Sequence, residues 1–299
     1  MKIVSLESLK DCARFVRDHH PDRKGDETFV SFGIATEYLR AVVGNEWTNQ
    51  MVFSQHPTVS HSNQLGRKFM KVDELDTENK YRNQERTLRI AELLFNLQSV
   101  DGIDGRLDDL REGPVEATYS ELEAGGFLLR HAVPFNYIDE TGVRGLDYDG
   151  QIILQNGERV NCEMKCKIES TEFSESTIRN TLDTARKQLP SGKSSLVFLK
   201  IPEPWVHQSQ ISTLLPTVMN DFLRGTSRVV AIILRWEEVY ILPRQEGSLI
   251  VYKYGIERGI TPKKISSEVR NLLDQLSRPG RGPWISFRSI AEEAVQGAG

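Results

Sequence analysis

The sequence predicts an α/β fold, a mixed β-sheet flanked by helices and preceded by a mainly helical N-terminal region. Apolar residues recur with helical spacing in the first hundred residues, and short strand-like segments separated by turns and helices follow. At 299 residues the chain is long enough to bury a full core. We expect a mainly helical region over residues 1–112, an α/β core over 113–250 and a basic extension over 251–299.

Two segments define the predicted helical region. Apolar residues share a helical stripe in LESLKDCARFVRDH and again in NKYRNQERTLRIAELLFNLQS. The intervening residues are polar and rich in turn formers. The spacing of apolar residues in this region therefore predicts packed amphipathic helices joined by loops.

The predicted core has a definite order of elements. A helix over VEATYSELEAGGFLLRHA is followed by three strand-like segments, AVPFNYI, RGLDYDGQIIL and RVNCEMKCKIE. Asn156-Gly157, the strongest hairpin signal in the chain, joins the last two. A helix over FSESTIRNTLDTARKQL, with Ser174 as its N-cap, then leads to the buried strand KSSLVFLKIP. A helix containing Pro216, the strand SRVVAIILRW and two shorter strands complete the order.

Composition narrows the class of protein. The net charge is −4, so the chain as a whole is not a basic nucleic-acid coat protein. Between Lys253 and Arg288, however, the sequence contains eight basic and three acidic residues, and this local excess of positive charge is compatible with a phosphate-facing patch. No apolar run is long enough for a membrane span, and the three cysteines form no disulfide framework. A cytoplasmic protein without a membrane partner is expected.

The segment CEMKCKIE has an unusual charged face. Strand alternation places Cys162, Met164 and Cys166 on one side and Glu163 and Lys165 on the other. The three apolar or sulfur-bearing residues suit a core. The charged face either meets solvent at a sheet edge or belongs to a site.

The other arm of the hairpin carries two aspartates. Asp147 and Asp149 share one face, and the Asn-Gly turn folds them back towards Glu163 and Lys165. Two neighbouring carboxylates repel unless a cation neutralises them, and their oxygens suit Mg²⁺. A lysine beside them can stabilise developing charge. This combination predicts phosphodiester hydrolysis. Either Asp147 or Asp149 could be the carboxylate that lies beside Glu163.

GLDYD followed after a hairpin by CEMK resembles the signature of the PD-(D/E)xK phosphodiesterase superfamily, which has a restriction endonuclease-like fold. The family order of a helix, a three-stranded meander, a helix and a strand is similar to the order predicted from residue 115 to about residue 201. The resemblance covers roughly a third of the chain. The family's frequent proline before the aspartate is replaced here by Leu146.

The resemblance implies roles for individual residues. Asp147, Glu163 and the main-chain carbonyl of Met164 would hold Mg²⁺, with Mn²⁺ as an alternative, and Lys165 would position the attacking water. Asp147 is preferred because G-x-D at the strand start is a common form of the motif, and Asp149 is kept as the second choice.

Two further candidates come from the helices on either side. The helix before the first core strand contributes a glutamate in many members of the family, here Glu121 with Glu123 as the fallback, and this residue would bind the metal as an additional ligand or through water. In some branches a glutamine on the following helix also reaches the site, and Gln188 is the weak candidate for it.

The expected function is that of a magnesium-dependent nuclease that acts on DNA. The sequence leaves open exo- or endonucleolytic cleavage and the oligomeric state, with a homodimer as one option, since nucleases that cut both strands often pair. The alternative is a non-catalytic nucleic-acid-binding or assembly protein that retains the same fold.

Overall fold

The computed structural model describes residues 2–53, 61–73, 76–139, 141–143, 145–244 and 247–297, and it divides the chain into two compact units. The helical unit comprises residues 1–99, 103–122 and 283–299. The sheet unit comprises residues 100–102 and 123–282.

Amphipathic helices form the helical unit. Three of them begin at side-chain N-caps, in which Ser5, Asp26 and Asp76 each accept a hydrogen bond from the backbone N–H three residues later. Helices of this unit in the described ranges are α1 Leu6–His19, α2 Glu27–Val42, α3 Asn45–Val52, α4 His61–Met70, α5 Thr77–Leu97, α6 Ile103–Glu112, the first half of α7 Val115–Arg130, and α12 Phe287–Gln296.

A six-stranded mixed sheet dominates the other unit. Its strands lie in chain order, and the β3–β4 and β4–β5 pairs are parallel while the remaining pairs are antiparallel. The strands are β1 Phe135–Tyr137, β2 Gly150–Ile153, β3 Arg159–Cys166, β4 Ser195–Lys200, β5 Val229–Arg244 and β6 Gly247–Ile260, and the helices that follow α7 are α8 Glu175–Gln188, α9 Glu203–Val206, α10 Ile211–Gly225 and α11 Ser267–Ser277. A mixed α/β sheet flanked by helices, with a helical N-terminal region, is thereby confirmed.

The β2–β3 hairpin sets the position of the predicted site. Leu154 N–H donates to the Glu158 carbonyl, and Gly157 N–H donates back to the Leu154 carbonyl, so three residues form the loop. Gly157 closes this loop at φ 82°, a left-handed conformation that glycine adopts without steric cost. The resulting register pairs Gly150 with Cys162.

The two faces of β3 are both covered. Glu163 and Lys165 pair in register with Val197 and Leu199 of β4, which belong to the core cluster formed with α8 and α10. Cys162 and Met164 lie on the opposite face and are buried as the sequence predicts. The charged face of β3 is therefore not the solvent-facing side of an edge hairpin.

The compact units do not follow the boundaries expected from the sequence. Residues 251–260 pair with β5 and so belong to the sheet unit, whereas α12 packs against α1 and α2 and joins the helical unit. The two strands predicted near residues 237–254 are parts of the long β5–β6 hairpin. Pairing partners distant in the chain decide these assignments, and composition does not reveal them.

Glycine at residue 125 is unfavourable by helix propensity, and its packing against β1 explains why it occurs in α7. A Cβ atom there would lie 2.0 Å from Tyr137 Oη and 2.9 Å from Phe135 Cζ. Both rings are buried, so they cannot easily move aside. The absence of a side chain at residue 125 is what lets α7 approach β1.

Gly125→Ala is expected to lower the free energy of unfolding by up to about 2 kcal/mol, because an overpacking cost of about 1–3 kcal/mol opposes a helix-propensity gain of about 1 kcal/mol. Urea unfolding followed by circular dichroism measures the change. Gly225→Ala in α10 is the matched control, since a Cβ there meets nothing within 4 Å. Equal effects of the two substitutions would contradict the packing role of Gly125.

Across the described ranges, no helix combines the length and apolar character that crossing a bilayer requires.

Candidate active site

The candidate site lies where β2 begins beside the middle of β3. Asp149 immediately precedes β2, and its N–H donates to the Cys162 carbonyl at 3.0 Å. The paired register ends at Gly150 and Cys162, so Asp149 lies just outside the ladder and is hydrogen-bonded to the residue that precedes Glu163. The main chain of Asp149 is therefore next to Glu163.

A backbone contact holds the Asp149 carboxylate against β3. Met164 N–H donates to Asp149 Oδ2 at 2.5 Å. The N–H and C=O of one strand residue point to the same edge of the strand, so the Met164 carbonyl is also directed towards the β2 side. Three oxygen-bearing groups, the Asp149 and Glu163 carboxylates and the Met164 carbonyl, therefore belong to one locality.

Glu163 and Lys165 form a buried ion pair. Lys165 Nζ lies 2.5 Å from Glu163 Oε1, and the side chains are 23% and 0% exposed respectively. A carboxylate with no solvent access is costly unless a cation neutralises it. Lys165 supplies that positive charge, and its side chain is partly exposed.

The pKa values of neighbouring groups reflect the charge at this point. Burial raises the pKa of the Cys162 thiol, and the negative charges of Asp149 and Glu163 raise it further. Burial lowers the pKa of Lys167, and the positive charge of Lys165 adds to this effect. Lys167 is half-buried.

Asp147 and Gln188 have other contacts. Asp147 Oδ1 accepts hydrogen bonds from the N–H groups of Thr141 and Gly142 at 2.7 and 3.1 Å, so this carboxylate shapes the loop before β2. Gln188 Nε2 donates to the main-chain carbonyl of Asp147 at 3.3 Å. Gln188 therefore contacts the backbone of the loop and not its carboxylate.

The two glutamates of α7 belong to different units. Glu121 is part of the helical unit, where its carboxylate accepts a hydrogen bond from Arg106 Nη1 and forms an ion pair with it. Glu123 is part of the sheet unit and is buried. Two residues along a helix correspond to about 200°, so the two side chains leave α7 on opposite sides.

A polar network that the sequence analysis did not identify adjoins the carboxylates. Gln151 Nε2 donates to Asn161 Oδ1 at 3.1 Å and to Tyr148 Oη at 3.0 Å. Gln151 and Asn161 pair across β2 and β3, on the face that carries Glu163. Gln151 and Asn161 each lie two residues from an acidic residue of the site, and this spacing could have identified them from the sequence. The hydrogen bonds of the network hold the two strands of the hairpin together next to the site.

The donor set suits a hard divalent cation. Mg²⁺ is commonly held by one or two carboxylates, with water and phosphate oxygens completing its coordination. Asp149 and Glu163 supply two carboxylates, and the Met164 carbonyl is a third oxygen. No group of three or more His, Cys, Asp and Glu side chains in the described ranges forms a metal cluster, so the fit is to a site of two carboxylates.

Comparisons with protein-family models, with curated proteins and with solved structures yield no match. A function for this chain is therefore inferred from the geometry of the site.

Proposed function

We propose that the chain is a metal-dependent nuclease, with DNA as its expected substrate and a PD-(D/E)xK-like core. The observation that supports this most directly is that Asp149 is hydrogen-bonded to Cys162 and Met164, the two neighbours of Glu163, while Lys165 Nζ lies 2.5 Å from the Glu163 carboxylate. Two neighbouring carboxylates and an ammonium group meet the needs of phosphodiester hydrolysis: cation binding, charge neutralisation and orientation of water.

Asp149 and Glu163 would hold Mg²⁺ or Mn²⁺ together with the Met164 carbonyl. When bound, the cation neutralises charge on the phosphate and favours attack by water. Lys165 donates hydrogen bonds from Nζ, which allows it to orient a water molecule or to stabilise the charge that develops on a phosphate oxygen. The backbone N–H of Met164 keeps the Asp149 carboxylate in position.

The geometry leads us to propose Asp149 in the role that the motif alone assigned to Asp147. The Asp147 carboxylate already accepts two backbone N–H groups in the neighbouring loop. For the acidic residue on α7 we propose Glu123, because Glu121 is engaged by Arg106. Gln188 is assigned a positioning role through its contact with the Asp147 carbonyl.

Exposed basic residues support a nucleic-acid substrate. The following lysines and arginines of the sheet unit are exposed: Lys263, Lys264, Arg270, Arg278 and Arg281. Contacts from such side chains to phosphates supply most non-specific affinity for DNA. The three free thiols of the chain suit a reducing compartment, and we therefore propose cytoplasmic action.

The direct test incubates the purified chain with supercoiled plasmid, linear duplex, single-stranded DNA and RNA, in Mg²⁺, in Mn²⁺ and in EDTA. We expect cleavage in either metal and none in EDTA, with DNA cut in preference to RNA. The forms of plasmid produced separate endonucleolytic from exonucleolytic cleavage.

Two outcomes would contradict the proposal. Absence of cleavage of every substrate in both metals, with retention of nucleic acid unchanged by EDTA, would favour the non-catalytic binding protein. Cleavage that persists in the Glu163→Gln variant would place the activity elsewhere in the chain.

A further inference from the structure

The outer edge of β6 is long, and no other strand in the described part of the chain pairs with it. β6 is the last strand of the sheet and contains 14 residues. The β4–β5 pairing reaches only Arg235, so the β5–β6 hairpin extends past the other strands. An uncovered edge presents a row of backbone N–H and C=O groups and is a template for pairing with another strand.

The side chains of β6 are unusually apolar for an edge strand. Large apolar residues that are at least about a third exposed recur along it: Val251, Tyr254, Ile256 and Ile260. Soluble proteins usually protect such an edge by short length, proline or repeated charge. The combination of length and apolar character indicates that this edge is covered by a partner.

The sequence of β6 is complementary to itself in one antiparallel register. If two copies pair with Gly255 opposite Gly255, Lys253 of each copy meets Glu257 of the other. In the same register Tyr254 meets Ile256, and Tyr252 meets Arg258. Paired residues share a face, so the ion pairs lie on one face of the joined sheet and the apolar contacts on the other.

Glu257 shows the feature that such a partner would satisfy. Its side chain is half-buried, and burial raises the pKa of its carboxyl group. No described residue of the same chain forms an ion pair or hydrogen bond with the Glu257 carboxylate. Lys253 is the complementary group: it is largely exposed, and Glu238 alone lies within ion-pair distance of it among the described residues, at 3.2 Å.

We propose that two copies of this chain associate through antiparallel pairing of their β6 strands, centred on Gly255. The association is isologous, as expected for a two-fold dimer, and joins the two six-stranded sheets into one. Lys253 and Glu257 set its register, and Tyr254 and Ile256 supply apolar contact. It does not depend on the proposed nuclease activity.

The test measures the mass of the full chain by sedimentation equilibrium without nucleic acid or added metal. We expect twice the chain mass of 34.0 kDa at micromolar concentration. Glu257→Lys places lysine opposite lysine, and Lys253→Glu places glutamate opposite glutamate, so each variant alone should shift to monomer. Lys264→Glu, an exposed charge reversal outside the strand, should leave the mass unchanged.

Mixing the two reversed variants provides the decisive measurement. In a mixed dimer, each copy meets the opposite charge at both positions, so an equimolar mixture should recover the dimer. Any of three results would overturn the proposal: a monomeric wild-type chain, a dimer that survives both reversals, or two monomeric variants that stay monomeric when mixed. Because no substrate is involved, these results are independent of the cleavage assay.

Discussion

Asp149→Asn is expected to reduce metal-dependent cleavage by at least about 10³-fold, equivalent to about 4 kcal/mol of transition-state stabilisation. The substitution keeps the size of the side chain and leaves one oxygen that can accept the Met164 N–H. It removes one of two negative charges proposed to bind the cation, and a neutral amide is a much weaker ligand for Mg²⁺. Single-turnover cleavage of a labelled duplex, with Mg²⁺ varied, measures the loss.

Asp147→Asn is the matched control, because it makes the same chemical change two residues away. The remaining amide oxygen can still accept the N–H groups of Thr141 and Gly142. We expect cleavage within a few-fold of the wild-type rate. A large loss in Asp147→Asn with little change in Asp149→Asn would reverse the assignment and support the choice made from the motif.

Lys165→Met is expected to lower the free energy of unfolding by about 3 kcal/mol and to abolish cleavage. Methionine preserves most of the side-chain volume but removes the cation next to Glu163, whose side chain is fully buried. Breaking a buried ion pair by removing one partner costs about 3–5 kcal/mol, and the lower end applies because Lys165 is partly exposed. Urea unfolding at pH 7 measures the change.

The double variant Glu163→Met/Lys165→Met separates the effects on stability and on activity. It replaces both charges by apolar side chains of similar length, so the unfolding free energy should return to within about 1 kcal/mol of wild type or exceed it. Cleavage should remain absent. A double variant that is less stable than Lys165→Met alone would indicate that the pair is retained for folding and not for chemistry.

Much of the site could be predicted from local patterns. The alternation in CEMKCKIE correctly assigned Cys162 and Met164 to the core, and Asn156-Gly157 correctly located the hairpin. The proximity of an aspartate to Glu163 followed from these two features. These predictions depend on strand periodicity and turn chemistry, which act over a few residues.

The choice between the two aspartates required the register of the hairpin. A two-residue Asn-Gly loop would pair Gly150 with Glu163, whereas the observed three-residue loop pairs Gly150 with Cys162 and leaves Asp149 hydrogen-bonded to Cys162 and Met164. The strand also begins at Gly150, so Asp147 lies in the preceding loop. Adding one residue to the loop shifts the register by one and moves every side chain of the strand to the opposite face of the sheet. Short sequence patterns do not specify the length of the loop.

By itself, the sequence determined the α/β class, the helix and strand order around the hairpin, and the acidic and basic residues that converge there. Tertiary structure alone decided that Asp149 is hydrogen-bonded to the two neighbours of Glu163, that Glu163 is fully buried, and that residues 251–260 lie at the edge of the sheet in the part of the chain that the structure describes. The first group depends on local periodicity. The second depends on pairing between distant segments, which are brought together by burial of apolar surface and by backbone hydrogen bonding.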